Sequence, residues 1–170
     1  VTAGGRREPK KEATMPEKRR LLDLIDRAWR ANAWHGPALL EVLDGITPAM
    51  AAKRVVKGAH TIWELVDHVA TWNEVVAMRL AGKSPKVPPE WNFPSTPRPT
   101  PAAWKASRAR LARSQVKFRN AVVAFPEAKL GRRRPGTSST WYVLIHGEVQ
   151  HQLYHAGQMA LLKRGLGKGS

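Results

Sequence analysis

The chain of 170 residues contains no cysteine. Disulfides, thiolate metal sites and cysteine nucleophiles are therefore excluded. No apolar run approaches the roughly 18 residues that a transmembrane helix needs, so no membrane span is expected. The first residues are charged, with no apolar stretch behind them. A secretory signal is therefore not expected, and a cytoplasmic location fits best. Acidic residues are also scarce, with 13 Asp and Glu against 29 Lys and Arg, for a formal charge of +16. Residues 1–20 carry a net +4 and residues 163–170 a net +3, which leaves +9 for the rest. Such a surface attracts anions without sequence preference. The basic residues are spread out, however, and no nucleic-acid-binding motif accompanies them, so specific nucleic-acid binding is not expected. What the chain has in quantity is tryptophan, seven in all, each able to bury a large area.

Residues 1–16, "VTAGGRREPKKEATMP", are polar and aperiodic and read as a disordered basic tail. Met15 lies inside it, so the true start is expected downstream of Val1. The domain proper is expected over residues 17–165. A first helix begins near Pro16, where Leu21, Leu24, Ile25, Ala28 and Trp29 form one apolar stripe through "EKRRLLDLIDRAWRANAW". Gly36-Pro37 breaks it, "PALLEVLDG" resumes it, and "TPAMAAK" reads as a short turn with Pro48 first. The second long helix opens at "TIWE", a capping box of Thr61 and Glu64, and runs to about Ala81. Its apolar side is Ile62, Leu65, Val66, Val69, Val76 and Leu80. A proline-rich stretch near 82–100 has no periodicity and reads as a surface crossover. The third helix starts at Thr100-Pro101 and carries Trp104, Leu111, Val116, Phe118 and Val122. The fourth runs from Ser138–Thr140 to about Arg164, with Gly165 as its stop. The economical architecture is all-α: a four-helix bundle with a long connection between helices two and three.

"HQLYHAGQ", at 151–158, places two histidines four residues apart. At about 100° per residue they lie about 40° apart on one face. Leu144, Gly147, Glu148 and Gln158 share that face, and Gly147 removes a side chain where an ion or ligand would need room. Neutral imidazole is the commonest protein ligand for zinc, nickel and related metals. Taken alone, H-x-x-x-H says little, because six histidines in 170 residues produce such a pair by chance. Gln152 stands where a zinc protease has its glutamate, and an amide cannot serve as general base. His68 changes the weight of the pair. It lies two turns into the second helix among Leu65, Thr71 and Trp72, so it faces inward. Three histidines with an open fourth position suit a catalytic metal. His146 points away from the pair, His60 precedes the capping box, and His35 has no evident partner. Tyr154 lies off the face and is expected to pack.

"GAHTIWELVDHVATWNE" followed by "HGEVQHQLYHAGQMALLKR" resembles the DinB/YfiT-like superfamily of metalloenzymes over residues 20–164. The resemblance implies a four-helix bundle with one histidine ligand on the second helix and two on the last. Carried over by position, these are His68, His151 and His155, holding one divalent metal ion per chain. Zinc or nickel come first, with manganese or iron also compatible. It also implies either a transferase of a low-molecular-weight thiol to small electrophiles or a metal-dependent hydrolase, and a homodimer. Glu148 is the candidate catalytic base or a hydrogen-bond acceptor behind the ligands, a solvated carboxylate being the plain alternative. The expected partner is a small-molecule substrate. An anionic thiol would suit the basic surface, and Trp91 and Phe93 of the crossover are candidates for the pocket wall. A non-catalytic, metal-containing stress-response or small-molecule-binding protein is the alternative function.

Overall fold

The computed structural model describes residues 15–167. The expected tail lies almost wholly outside them. Seven α-helices follow in order: α1 (Glu17–Trp29), α2 (Leu39–Leu43), α3 (Pro48–Ala52), α4 (Ile62–Leu80), α5 (Pro89–Asn92), α6 (Pro101–Ala124) and α7 (Trp141–Leu166), with a 3₁₀ turn at Glu127–Lys129. No strand occurs among the described residues, only an isolated bridge between Arg133 and Thr140. The four long helices α1, α4, α6 and α7 form the bundle, and no described helix is long and apolar enough to cross a membrane.

Threonine sets most of the helix starts. Thr47, Thr61, Thr100 and Thr140 each accept the backbone N–H three residues on, satisfying a donor that the helix itself leaves free. At Thr61 the box closes both ways, because the Glu64 carboxylate accepts the Thr61 amide at 2.7 Å. Helix α4 is buried on nearly all sides, from Ile62 to Val76, and packs against α6, α7 and α3. Helix α1 closes the bundle against α6 and α7 and is clamped by a two-pronged pair from Arg119 to Asp26 at 2.8 and 2.9 Å.

The core is two apolar clusters with a polar layer between them. One gathers Trp63, Trp104, Leu111 and Met159, the other Ile25, Phe118, Val122 and Ile145. Where they meet, each of the three packed helices contributes a polar side chain. Gln152 on α7 donates to Asn73 Oδ1 on α4 at 2.6 Å and to Gln115 Oε1 on α6 at 3.0 Å. Asn73 in turn donates to Ser114 and Gln115, both at 3.2 Å. All four residues are buried. Gln115 Nε2 is left without a partner, but the bonds that the layer does make fix axial register, since sliding any helix would break bonds that no water can replace.

Four details differ from the sequence reading. The first helix stops at Trp29, well before Gly36, because Asn32 takes a left-handed backbone (φ 61°) that asparagine tolerates and a helix does not. Leu24 and Val116 are exposed, each on the outer edge of its helix. Gly165 does not stop α7, which continues to Leu166. A Cβ there would come within 2.8 Å of Val55 Cγ1, so the glycine permits close packing. The crossover at 82–100 holds one short helix, α5, and is otherwise irregular as expected.

Candidate metal centre

Two helical stripes build the site. On α4, His68, Trp72, Val76 and Arg79 follow at i, i+4, i+8 and i+11, which keeps them on one face. On α7, Leu144, Gly147, Glu148, His151 and His155 do the same. The two faces, with Phe93 and Arg134 from the connections, enclose a cavity of about 570 Å³. Gly147 opens onto it. A Cβ there would meet no atom within 4 Å, so the glycine leaves space in the pocket, as its position suggested.

The structure brings together all three histidines expected from the sequence. His68 Nε2 lies 2.9 Å from His151 Nε2, and His155 Nε2 lies 3.0 Å from the same atom. The ligand nitrogens of all three fall within 4.8 Å of one another. His68 and His155 are buried and His151 is partly so. The opposite ring nitrogens are engaged. His68 Nδ1 donates to the Asn92 carbonyl at 2.6 Å, and His155 Nδ1 donates to Gln158 Oε1 at 2.6 Å. These bonds fix the tautomers, so that each Nε2 presents a lone pair. Phe93 stacks on the His68 ring at 4.2 Å and on His60 at 3.7 Å, holding the first ligand's plane from the other side.

Burial keeps these rings uncharged. It lowers His68 to about 4, the neighbouring histidines adding to the effect while the Asn92 bond opposes it. Burial also brings His151 to about 4 and lowers His155. Three neutral rings with their Nε2 atoms gathered at one point make a poor hydrogen-bonding set. The single proton available on His151 Nε2 can serve only one of its two neighbours. As a ligand set the arrangement is complete. Metal–nitrogen bonds of about 2.0–2.1 Å place ligand nitrogens about 2.9–3.4 Å apart for bond angles of about 90–110°. The 2.9 and 3.0 Å separations from His151 fall in that range, and the donor chemistry suits a divalent cation.

Glu148 is not the solvated carboxylate that formed the plain alternative. It is buried, its Oε1 lies 3.5 Å from His151 Nδ1, and burial pushes its carboxyl well above the usual range, against the weaker pull of Gln152 and Arg79. Gln158 bonds to the site, as its position allowed. Tyr154 departs from expectation. It is exposed, lines the cavity and meets the His155 ring edge-on at 5.1 Å. Of the two crossover aromatics, Phe93 lines the cavity, whereas Trp91 is half exposed over a different cleft with Glu90 and Arg110. His146 stacks on Tyr142, away from the ligands.

Four contributors escaped the sequence reading. Trp72 and Arg79 continue the His68 stripe, and the i, i+4, i+11 spacing was the available signal. Asn92, which accepts from both His68 and the Trp72 indole, ends the four-residue helix α5, too short for periodicity to register, and Arg134 lies in an irregular connection.

Comparison with curated proteins and with solved structures finds no match. A family model does match, over residues 31–159, and its description is the DinB superfamily. The matched span includes His68, His151, His155 and Glu148 and leaves out α1. With three quarters of its length matched and the three histidines converged in the bundle, the chain belongs to the DinB superfamily.

Proposed function

We propose that this chain is a divalent-metal-dependent enzyme acting on small molecules, either transferring a low-molecular-weight thiol to an electrophile or hydrolysing its substrate. The observation that supports this reading most strongly is the convergence of three histidine ring nitrogens on an open cavity that has a buried carboxyl group beside them. His68, His151 and His155 would hold the ion, zinc or nickel first and manganese or iron next. A cation so held favours the deprotonated form of a bound water or thiol. In thiol transfer the S–H bond breaks and an S–C bond forms, with the leaving group departing or, in an addition, the adjacent carbon taking a proton. In hydrolysis a water O–H bond and the substrate's scissile bond break and an O–C bond forms, the leaving group departing with a proton. Either way a proton must leave the nucleophile, and Glu148, which lines the cavity, would receive it. Asn92 and Gln158 keep the ligand rings oriented throughout. Trp72, Val76 and Leu144 give the cavity apolar walls.

The test is turnover by metal-loaded protein against a panel of thiols paired with small electrophiles, and against activated esters and amides. Metal-dependent turnover that disappears in His151→Ala and falls at least about a hundredfold in Glu148→Gln is expected. Fully loaded protein that turns over none of these would contradict the reading and leave a non-catalytic metal protein.

A further inference from the structure

The cavity holds two cations that no described carboxylate meets at salt-bridge distance. Arg79 ends the α4 stripe that His68 begins, and Arg134 enters from the loop before α7. Elsewhere on the molecule Arg54, Arg110 and Arg119 each hold a carboxylate at 2.7–2.9 Å. Among the described residues, Arg79 and Arg134 hold none at salt-bridge distance. Arg134 Nε is moreover buried without a hydrogen-bond partner. Arg79 lies over the Trp72 ring, its Cζ 5.6 Å from the centroid, within cation–π range. The two also flank a second cleft next to Lys83, so they stand where two cavities adjoin.

The pair is costly as it stands. Burial pulls Arg79 below its usual value, and the Arg134 charge pulls in the same direction. Glu148 opposes this only partly, and its Oε1 is turned to His151. The start of α7 supplies no donors to the cavity. Its first amides are taken by Arg132 O, Leu130 O and Thr140 Oγ1. The guanidiniums are free hydrogen-bond donors at this end, and their planar forks match a carboxylate or phosphate. Val76, Val143 and Leu144 line the cavity as well, and at about 570 Å³ it has room for a small molecule.

We propose that Arg79 and Arg134 form an anion subsite, which grips the carboxylate or phosphate end of a small ligand whose other end reaches His68, His151 and His155. The inference rests on the proposed metal chemistry only for what happens at the histidine end. The substrate class is thereby narrowed to anions with a short apolar body.

The test is an NMR titration at pH 7.5 and fixed ionic strength, following arginine Nε–H and backbone amides. The full chain is used both metal-free and zinc-loaded. Butyrate, its uncharged counterpart butyramide and inorganic phosphate serve as probes. Metal-free wild type should bind butyrate, phosphate or both saturably, with shifts at Arg79 and Arg134, and should not bind butyramide. Whichever anion binds names the end group. Arg79→Gln and Arg134→Gln should each weaken that binding at least about tenfold, with Arg134→Lys in between. Neither anion saturating, or unchanged affinity in both glutamine variants with their circular dichroism intact, would overturn the subsite. Anion binding that survives a failure to load zinc would support the subsite while sinking the metal reading. Zinc loading with no anion binding at the arginines would do the reverse.

Discussion

Replacing Gln152 with leucine should separate the stability of the bundle from its chemistry. Gln152 is 1% exposed and spends both side-chain N–H groups inside the core, on Asn73 at 2.6 Å and Gln115 at 3.0 Å. Leucine fills nearly the same volume, so the packing term is small. The polar term is not. Gln115 Oε1 keeps its bond from Asn73, but Asn73 Oδ1 has no other donor and is left orphaned in a dry core. An orphaned buried acceptor costs about 1–3 kcal/mol. We expect a loss of about 2 kcal/mol, which for a domain of this size lowers Tm by about 4–8 °C. Urea unfolding followed by circular dichroism measures it. The double variant Asn73→Leu, Gln152→Leu removes the orphan together with its former donor. It should cost less than the sum of the two single changes by about 1–2 kcal/mol. A Gln152→Leu protein within 0.5 kcal/mol of wild type, or strictly additive variants, would refute the idea that this layer couples α4, α6 and α7.

Three further outcomes follow from the same geometry. Gln158→Ala removes the acceptor that orients His155, so metal affinity should fall about 10–100-fold with the unfolding midpoint nearly unchanged, as a competitive chelator titration would show. Phe118→Ala empties a fully buried ring site and should cost about 3–5 kcal/mol in urea unfolding. The capping box should be acid-sensitive. Burial alone would raise Glu64, but the Thr61 amide, Arg54 and His60 together hold it below 4.5, so its contribution is present above that pH and fades as pH falls through the depressed value. The stability gap between wild type and Glu64→Gln should therefore narrow from pH 7 to pH 3, whereas a constant gap would contradict the assignment.

Helix starts were legible because their chemistry is local. Thr61 with Glu64, Thr100 with Pro101 and Thr140 each declare a cap within three or four residues. The three ligands were legible because helical spacing and the family-like runs fixed their faces, and the buried position of His68 followed from its apolar neighbours. The end of α1 was not, because an asparagine in a left-handed conformation acts as punctuation that apolar periodicity does not register. Nor was the polar layer. Asn73, Gln115 and Gln152 look like surface residues one at a time, and only the packing of three helices shows that each answers the others. The mouth of the cavity was the least legible part. Asn92 and Phe93 arrive from the end of the short α5 and Arg134 from a loop, segments whose positions depend on tertiary packing.

Elemental analysis of tag-free protein tests the central claim most directly, comparing wild type with the His68→Ala, His151→Ala double variant. The account predicts about one divalent metal per wild-type chain and none retained by the variant, since one remaining imidazole cannot hold the ion. Wild-type protein that takes up no metal when zinc, nickel, manganese and iron are each offered, or a variant that retains as much as wild type, would contradict it.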